Sequence, residues 1–441
     1  MLYPHFSSIL KRYHSSGCKI VLALSGGVDS RVLLHLLSLF KQDNPQTECL
    51  AVHVHHGLSS NADFWAEQCH QWCSDSGLSS VVERVCLNLG SRISIEQEAR
   101  QQRYLALKKH IQEGDLLLTG QHLSDQTETF LLALKRGSGP KGLSSMPEAA
   151  SFGKGMLLRP LLSVSREKVV DYAEQHSLSW VEDESNTDTR YDRNFLRQYI
   201  VPQLTERWPD IERSVSRSAQ LCADQEALLN ELLAERLAKM IGADGGISVV
   251  SLHSESALAR NQLIRMWLDT YSVLMPGRKQ LSLIWNEVVC AQPDANPRLT
   301  LSQGEIRRYQ NRLYWVDKQQ DITDWRTEFT LNTPVDLPDR LGSIMLTDRV
   351  SENGFKLRAA RPEERVWVSF NPEGIVAHPE ERAHSRKLKK LFQEYGVPPW
   401  LRRRLPLIMY NDCLAGVAGL FVDRDFSGNA VEVVWDRQTQ G

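Results

Sequence analysis

A short apolar run that passes through two glycines into a helix constrains the fold of this chain more than any other feature. Residues 20–24 have the pattern of a buried parallel strand, and Ser25, Gly26 and Gly27 interrupt that pattern before an amphipathic helix begins at Val28. A strand that turns through glycines into a helix presents unpaired backbone N–H groups at the helix N-terminus, where they can bind a phosphate. The segment therefore predicts an α/β domain that binds a phosphate-bearing ligand.

The residue types in the loop at 25–30 indicate how it binds that ligand. Its glycines let the backbone approach closely, and the hydroxyls of Ser25 and Ser30 can donate hydrogen bonds to phosphate oxygens. Asp29 alone would repel a phosphate, so its presence suggests a bridging Mg²⁺. The spacing matches neither a Walker P-loop nor a dinucleotide-binding fingerprint, and an ordinary strand–helix turn is the alternative. The candidate phosphate-binding residues are Ser25, Gly26, Gly27, Val28, Asp29 and Ser30.

Bulk properties exclude several classes of protein. The 441 residues predict roughly three domains, and contents of 41% hydrophobic and 24% charged residues are typical of a soluble globular protein. No run approaches the roughly 20 apolar residues of a membrane span, and the N-terminus lacks the apolar core of a secretory signal, so we expect a cytoplasmic protein without a membrane partner. The 8 cysteines do not indicate a disulfide framework, and the net charge of −2 does not by itself indicate a nucleic-acid binder.

A histidine cluster follows the second predicted strand, at residues 48–57. His53, His55 and His56 come directly after an apolar run. Strand C-termini are where open α/β sheets bind ligands, and a neutral histidine can hydrogen-bond a base or a ribose. The alternative is a set of structural histidines, and we rank a metal site lower because no carboxylate is adjacent in the sequence. We therefore expect His53 and His55 at the border of a nucleotide site.

The fourth predicted strand, residues 115–120, leads into a helix that begins with two carboxylates. His122, Asp125 and Glu128 are three residues apart, so they line one face of the helix start. Carboxylates at this place are commonly caps and partners of the helix dipole. Two of them beside a histidine and a phosphate loop favour Mg²⁺ binding or general acid–base catalysis instead. Asp29 and Asp125 are the candidate Mg²⁺ ligands.

Basic residues recur along the rest of the first domain. A helix that opens at Ile95 carries two arginines, the loop at 136–146 is rich in glycine and basic, and a cluster of basic and aromatic residues occupies 190–197. A solvated basic face is the ordinary explanation for each, and anion or RNA contact is the functional one. Residues 157–162 predict a fifth strand, and 163–176 predict a helix capped by Ser165. The candidates for phosphate or RNA contact are Arg100, Arg103, Arg193, Asn194 and Arg197.

The remainder of the chain predicts a helical middle domain and a basic C-terminal domain. A long helical pattern over 210–240 precedes mixed, mostly helical sequence that ends in a strand at 312–316, and the polar stretch 319–338 predicts a linker or an irregular edge. Residues 382–404 hold eight basic residues against one acidic residue, with aromatics between them. That pattern favours RNA phosphate contact with base stacking over a solvated helix face. The candidates there are Lys387, Lys390, Arg402 and Arg403.

Taken together, these segments resemble one family. Residues 25–30, 53–58, 122–129, 136–146, 159–162 and 183–197 appear in the order found in the tRNA(Ile)-lysidine synthetases, which belong to the N-type ATP pyrophosphatases. Residues 385–406 resemble the C-terminal domain of that family. The resemblance implies an α/β fold: a parallel-sheet, Rossmann-like ATP-pyrophosphatase domain at 1–212, a mainly helical tRNA-contacting domain at 213–318, and a small α+β tRNA-binding domain at 350–441.

The resemblance also implies a reaction and its participants. ATP adenylates the C2 oxygen of the wobble cytidine in a tRNA(Ile) that carries a CAU anticodon, the ε-amino group of free L-lysine attacks C2, and AMP leaves. No obligatory protein partner is evident. The implied catalytic residues are Asp29, Arg103, Asp125 and Glu128. The implied ATP-binding residues are those of the phosphate loop with His53 and His55. The implied lysine or tRNA contacts are His122, Arg193, Asn194, Arg197, Lys387, Lys390, Arg402 and Arg403.

Three other functions remain as alternatives. A tRNA 2-thiolating enzyme of the same superfamily would need cysteines, typically as Cys-x-x-Cys, and the sequence contains no such motif. A glutamine-dependent amidating ligase would need an amidotransferase domain, for which we find no sequence. A tRNA-binding protein with a decayed nucleotide site would not be expected to keep the phosphate loop together with His122, Asp125 and Glu128.

Overall fold

The computed structural model describes residues 2–87, 95–182, 184, 188–292, 295–351 and 354–437, with the backbone alone for 95–97. The chain divides into two compact units, Met1–Leu232 and Leu233–Gly441, and each is described by itself. Four residues of the segment 183–197 lie outside the described residues. They are Asp183, Ser185, Asn186 and Thr187.

A single sheet forms the centre of the first unit. Its strands are β1 (Ile20–Ala23), β2 (Cys49–His55), β3 (Ser79–Arg84), β4 (Leu116–Leu118), β5 (Ala149–Phe152) and β6 (Gly155–Leu158). The strand order is β3-β2-β1-β4-β6-β5. The pairs from β3 to β6 are parallel, and β5 runs antiparallel to β6 at the edge of the sheet. The predicted α/β fold with a parallel sheet is confirmed.

Helices cover both faces of this sheet. They are α1 (Leu2–Tyr13), α2 (Val28–Asp43), α3 (Ala62–Asp75), α4 (Ile95–Lys108), α5 (Leu123–Lys135), α6 (Pro140–Leu143), α7 (Arg166–Gln175), α8 (Asp192–Phe195), α9 (Val201–Arg207) and α10 (Ile211–Met240), with a π-helical turn at Leu196–Ile200. Alternate residues of a strand point to opposite faces. Ile20 and Leu22 of β1 therefore pack into one core with α1, α2, α3 and α7, whereas Val21 packs into a second core with Leu107 of α4. Burial on both faces explains why β1 is apolar throughout.

The strand order places the functional segments at one edge of the sheet. From β1 the chain passes to β2 and β3 on one side and then returns to β4 on the other, so β1 and β4 form a switch point, where open α/β sheets bind ligands. We call the side where β1, β2, β4 and β6 end the carboxyl edge. There, a Cβ added at Gly120 would lie 3.1 Å from the Cβ of Asp29 and 3.3 Å from the backbone nitrogen of Ser30. The chain after β4 therefore meets the phosphate loop closely.

Two details of the sheet differ from the sequence prediction. The strand predicted over 157–162 is wrong at its end, because β6 stops at Leu158 and residues 160–162 form a turn. Pro160 has no N–H for a ladder hydrogen bond, which accounts for the early stop. The edge strand β5 is not predicted, since its Ala-Ala-Ser-Phe sequence lacks β-branched residues. The helix capped by Ser165 is confirmed: its side chain accepts a hydrogen bond from the backbone N–H of Lys168.

The second unit begins with helices that pack on a small sheet. Its helices are the end of α10, then α11 (Val249–His253), α12 (Ala257–Asp269) and α13 (Arg278–Leu283), followed by a π-helical turn at Ile284–Val289. The strands β7 (Ile247–Ser248), β8 (Arg298–Thr300), β9 (Gly304–Tyr309) and β10 (Arg312–Asp317) form an antiparallel sheet in the order β7-β10-β9-β8. The predicted helices are thus joined by a sheet that the sequence pattern indicates only at 312–316. Trp267 lies fully buried in the core that they share.

Antiparallel strands make up most of the C-terminal part of the chain. They are β11 (Arg326–Glu328), β12 (Val335–Asp336), β13 (Ser343–Thr347), β14 (Phe355–Leu357), β15 (Val366–Ser369), β16 (Val376–Ala377), β17 (Arg386–Lys387), β18 (Leu407–Tyr410), β19 (Cys413–Val417), β20 (Phe421–Val422) and β21 (Val431–Asp436), with the helix α14 (Leu388–Glu394). Two sheets, β11-β15-β18-β19-β20 and β12-β13-β21-β14, share one core. Of the two predictions for 319–338, the irregular edge agrees with the structure and the linker does not, because β11 and β12 are edge strands of these sheets and Phe329 and Leu337 belong to the core. Among the described residues, no helix is both long and apolar enough to cross a membrane.

Candidate active site

The phosphate loop is wrapped around one buried hydroxyl. The backbone N–H of Gly26 donates to Ser30 Oγ (3.1 Å), and Ser30 Oγ donates to the carbonyl of Gly27 (3.0 Å), while Ser25 Oγ lies 3.1 Å from Ser30 Oγ. Gly26 has φ +93°, and a Cβ there would lie 2.7 Å from a methyl group of Val181, so this position requires glycine. Ser30 thus shapes the loop, and Ser25 is the exposed hydroxyl.

The start of α2 is open to an anion. No side chain caps this helix, whose N-cap residue is Gly27. The first N–H groups of a helix lack partners within the helix, and they carry its positive partial charge. Val28, Asp29 and Ser30 supply those groups next to the glycines. The geometry can therefore bind phosphate oxygens with main-chain donors.

Asp29 presents an unsatisfied carboxylate oxygen at this place. Its Oδ1 is buried and has no hydrogen-bond partner among the described residues, and His122 Nε2 lies 3.7 Å away. Burial raises the pKa of Asp29, and the positive charges nearby oppose that rise. In the described part of the chain, no three metal-ligating side chains lie together. A carboxylate oxygen without a partner beside a phosphate loop suits a cation that takes its other ligands from phosphate and water.

His122 and Asp125 cap α5 and at the same time face Asp29. The backbone N–H of Ser124 donates to His122 Nδ1 (3.2 Å), and the backbone N–H of His122 donates to Asp125 Oδ2 (3.0 Å). Because Nδ1 accepts a hydrogen bond, the ring proton is on Nε2, which lies 3.4 Å from Asp125 Oδ2. The capping explanation for these residues is therefore confirmed, and their functional role stays a prediction.

Two arginines of the segment 192–200 bind the carboxylates of α5. Arg197 donates to both oxygens of Glu128 (2.7 and 3.0 Å) and to Asp125 Oδ1 (2.9 Å). Arg193 donates to Thr129 Oγ1 (2.9 Å), and its Nε lies 3.3 Å from Glu128 Oε2. Glu128 is fully buried, which raises its pKa, and the bonds to Arg197 oppose that rise. Both carboxylate oxygens of Glu128 thus bind arginine, whereas Oδ2 of Asp125 faces His122.

The histidines after β2 have different partners. His53 Nδ1 lies 2.9 Å from the carbonyl of Leu24 and can only donate to it, which leaves Nε2 as an acceptor. Burial lowers the pKa of His53, so the ring is neutral. His55 Nε2 lies 3.3 Å from Asp63 Oδ1, and Arg84 binds the same carboxylate. No carboxylate is adjacent to these histidines in the sequence, but the helix α3 brings Asp63 to His55 from outside the strand.

The arginines of α4 point in different directions. Arg103 Nε donates to His56 Nε2 (3.3 Å) at the end of β2. Arg100 instead stacks on Tyr104, with its guanidinium carbon 4.9 Å from the ring centroid. Arg103 is therefore the arginine of this helix that faces the carboxyl edge. Asn194 donates to the carbonyl of Asp188 (2.9 Å), which makes it a support of the turn before α8.

The basic segment 382–404 of the second unit is partly neutralised. Arg382 and Arg386 pair with Glu394, Arg403 pairs with Glu373, and Arg404 is buried against Asp339. Arg402 donates to the carbonyl of Val397 (3.0 Å). The exposed lysines on and beside α14 are Lys387, Lys389 and Lys390.

Sequence reasoning missed two residues of the site. Gly120 allows the close approach of the chain after β4 to Asp29, and Thr129 accepts a hydrogen bond from Arg193. A glycine directly after a strand that leads to a histidine is a signal that could have indicated the first. Thr129 stands one helical turn after Asp125, on the same face of α5, which could have indicated the second.

Family models match three parts of the chain. A PP-loop domain model matches residues 3–204. A model described as the TilS substrate binding domain matches residues 248–314, and one described as the TilS substrate C-terminal domain matches residues 366–436.

Curated proteins match the chain over nearly its whole length. A tRNA(Ile)-lysidine synthase of Vibrio campbellii is 55% identical over 445 residues, which cover 98% of each chain. A tRNA(Ile)-lysidine synthase of Photobacterium profundum is 55% identical over 435 residues, which cover 99% of each chain. Among solved structures, the U34-tRNA thiolase NcsA from Methanococcus maripaludis with its 4Fe–4S cluster matches 50% of this chain and 78% of its own, with a TM-score of 0.43 and 16% identity.

Proposed function

Because the chain belongs to the tRNA(Ile)-lysidine synthase family, we propose that its carboxyl edge joins L-lysine to the wobble cytidine of a tRNA(Ile) with a CAU anticodon. The chain is an ATP-dependent ligase that modifies tRNA. The observation that carries the proposal is the identity of 55% over nearly the full length. It agrees with a site in which a phosphate loop and a pair of carboxylates meet at one switch point.

The proposed chemistry has two steps. The C2 oxygen of cytidine attacks the α-phosphorus of ATP, and the bond to pyrophosphate breaks. The ε-amino nitrogen of lysine then attacks C2, the bond from C2 to the adenylated oxygen breaks, AMP leaves, and the amine loses a proton. A pyrimidine carbonyl oxygen is a poor leaving group. Its adenylation makes the substitution possible, because the oxygen then leaves as part of AMP.

Several residues suit the binding of ATP. Ser25 and the loop at 26–30 would bind the β- and γ-phosphates, since the backbone N–H groups of Val28, Asp29 and Ser30 lie at a helix N-terminus that no side chain caps. His53, neutral and with Nε2 as an acceptor, would border the nucleoside together with His55. Arg103 would stabilise charge that develops on the α-phosphate, because it reaches the end of β2.

Mg²⁺ is part of this proposal, and the residues present fit it. Asp29 Oδ1 is a buried oxygen without a hydrogen bond among the described residues, and oxygen is the ligand type that Mg²⁺ takes. Asp125 is the weaker candidate of the two predicted ligands, because Arg197 binds its Oδ1. When bound, the ion would neutralise phosphate charge next to Asp29.

The two carboxylates of α5 would have different roles toward the lysine substrate. Asp125 Oδ2 faces His122, so this carboxylate can orient the ammonium group or take its proton. Glu128 has both oxygens on Arg197, and we propose that it fixes that arginine rather than contacting lysine.

Other basic residues would contact the tRNA. Arg193, Asn194 and Arg197 stand beside the site, and Lys387, Lys390, Arg402 and Arg403 belong to the second unit. We propose catalysis by residues 1–212 and tRNA contact by residues 213–318 and 350–441.

A labelling assay tests the proposal. The protein is incubated with ATP, Mg²⁺, labelled lysine and a tRNA(Ile) transcript that carries CAU, with initiator-methionine tRNA alongside. We expect label on the first tRNA alone, with release of AMP. AMP without label on either tRNA would contradict the proposed nucleophile and would favour the thiolation alternative. Neither AMP nor label would contradict the proposal altogether.

A further inference from the structure

Gln126 binds the main chain of a residue that lies 20 positions later. Its Nε2 donates to the carbonyl of Met146 (3.0 Å), and its Oε1 accepts from the backbone N–H of Met146 (3.0 Å). The side chain is buried. An amide that offers one donor and one acceptor to the same residue imitates the pairing of an adjacent strand, so it fixes both the position and the rotation of that residue.

The segment held in this way lies at the carboxyl edge. Residues 146–148 lead into β5, whose first residue pairs with the last residue of β6. Arg159 follows β6 and grips the same segment, because its Nη1 donates to the carbonyl of Pro147 (2.7 Å) and its backbone N–H donates to the carbonyl of Glu148 (2.9 Å). Gln126 and Arg159 thus hold residues 146–148 from two sides.

The strand order separates this segment from the nucleotide. The phosphate loop follows β1, and His53 lies on β2, whereas residues 146–148 adjoin β6, on the other side of β4. Asp125, next to Gln126 in α5, faces the middle of the edge, where His122 also points. Residues 146–148 therefore border the part of the carboxyl edge beside β6, where the proposed function leaves room for the tRNA.

We propose that Gln126 is a positioning residue that fixes residues 146–148 as the tRNA-side wall of the active site. The inference rests on the proposed function, since that function supplies the tRNA. The loop that Gln126 closes, residues 136–145, carries the exposed cations Arg136 and Lys141, whose charge suits an RNA backbone. Gln126 thereby fixes the end of this loop against α5, the helix that carries Asp125.

Loss of the hydrogen bonds between Gln126 and Met146 should lower the reaction rate. Without the amide, the N–H and carbonyl of Met146 lose their partners, and the segment can shift. A shift of about 1 Å at a substrate-positioning element costs up to about 100-fold in rate. Because the nucleotide half of the edge does not contact Gln126, ATP binding should change little.

Two variants of Gln126 test the inference. Gln126→Met keeps the side-chain volume and removes both hydrogen bonds, and Gln126→Glu keeps the acceptor alone. For each we measure KM for tRNA and kcat, the Kd for ATP without tRNA, and trypsin cleavage at Arg136 and Lys141. We expect KM for tRNA to rise about tenfold and loop cleavage to accelerate, with the Kd for ATP changed less than about twofold. Should Gln126→Met fail to fold, Gln126→Glu carries the same comparison.

Two controls make the test specific. Gln262→Met changes another buried helical glutamine, in the second unit, and should leave KM for tRNA and loop cleavage as in the wild type. Met146→Ala should leave loop cleavage unchanged, because Gln126 binds main-chain atoms. An unchanged KM for tRNA in both Gln126 variants, or an equal loss of ATP affinity, would overturn the inference. Failure of the wild type to modify tRNA would instead overturn the proposed function.

Discussion

Arg197 binds both carboxylate oxygens of Glu128, at 2.7 and 3.0 Å, although the two residues are 69 positions apart in the chain. Glu128 is fully buried, so its negative charge depends on compensation by this arginine, with Arg193 Nε 3.3 Å away as a second partner. The pair joins α5 to the π-helical turn at Leu196–Ile200, and the same arginine reaches Asp125 (2.9 Å). The stability of the site and its chemistry are therefore coupled through one side chain.

Replacement of Arg197 should destabilise the protein. Arg197→Met removes the hydrogen bonds to the buried Glu128 and leaves its charge to Arg193 alone, 3.3 Å away, which should cost about 3 kcal/mol in the free energy of unfolding. Urea denaturation measures this change. The double variant Glu128→Gln/Arg197→Met also removes the buried negative charge and should lose less. Arg190→Met breaks the exposed pair with Asp188 and should have little effect. A double variant as unstable as Arg197→Met would contradict the explanation.

Two adjacent glycines should respond differently to alanine. Gly26→Ala places a Cβ 2.7 Å from Val181 at φ +93°, so the apo protein should lose about 1–3 kcal/mol of stability. Gly27→Ala is the matched control, because its nearest neighbour would be Ser25 Oγ at 3.8 Å and its φ is −70°. Its thermal unfolding without ATP should stay close to that of the wild type. Equal destabilisation by the two changes would mean that the loop has another conformation.

We expect the charged carboxylate of Asp29 to be needed for activity and to lower the stability of the fold. Burial raises its pKa in the folded state, so the charged form destabilises the fold at neutral pH. Asp29→Asn should therefore be more stable than the wild type at pH 7, by about 1 kcal/mol, and inactive.

The stability difference between Asp29→Asn and the wild type should depend on pH. As the pH falls through the raised folded pKa toward the ordinary carboxyl value of about 3.9, the wild type binds its proton and the advantage of Asp29→Asn should vanish. Denaturant unfolding at several pH values measures it. A wild type more stable than Asp29→Asn at pH 7 would show that Asp29 is stabilised in the apo protein.

Local sequence was enough to predict the parts of the site that are close in the chain. The phosphate loop at 25–30 and the trio His122, Asp125 and Glu128 each lie within one strand–helix junction, where glycine placement and helical spacing determine geometry. The parallel sheet followed from apolar runs that alternate with helices. The strands and helices that hold these residues are as predicted, and the functional roles of the residues remain predictions.

Contacts between distant segments could not be predicted in this way. The pairing of Arg197 with Glu128, of His55 with Asp63 and of Arg403 with Glu373 depends on which elements pack together, and single-sequence patterns do not carry that information. The sequence does not distinguish β11 and β12 from a linker, because strands of two or three residues between polar residues and prolines have the composition of a loop. Their apolar neighbours, among them Phe329 and Leu337, are too widely spaced to show a period.

The exposed lysines beside α14 provide the last prediction. Four of the five arginines of this segment pair with carboxylates, whereas Lys387, Lys389 and Lys390 are exposed and have no such pair among the described residues. We therefore expect tRNA affinity to depend on these lysines more than on Arg403. Lys387→Ala and Lys390→Ala should each weaken tRNA binding and reduce the slope of log K against log salt by about 1, since each would remove one phosphate contact. Lys11→Ala, an exposed lysine of α1, is the control. Filter binding at several salt concentrations measures the slopes, and slopes equal to that of the control would exclude this surface as the RNA footprint.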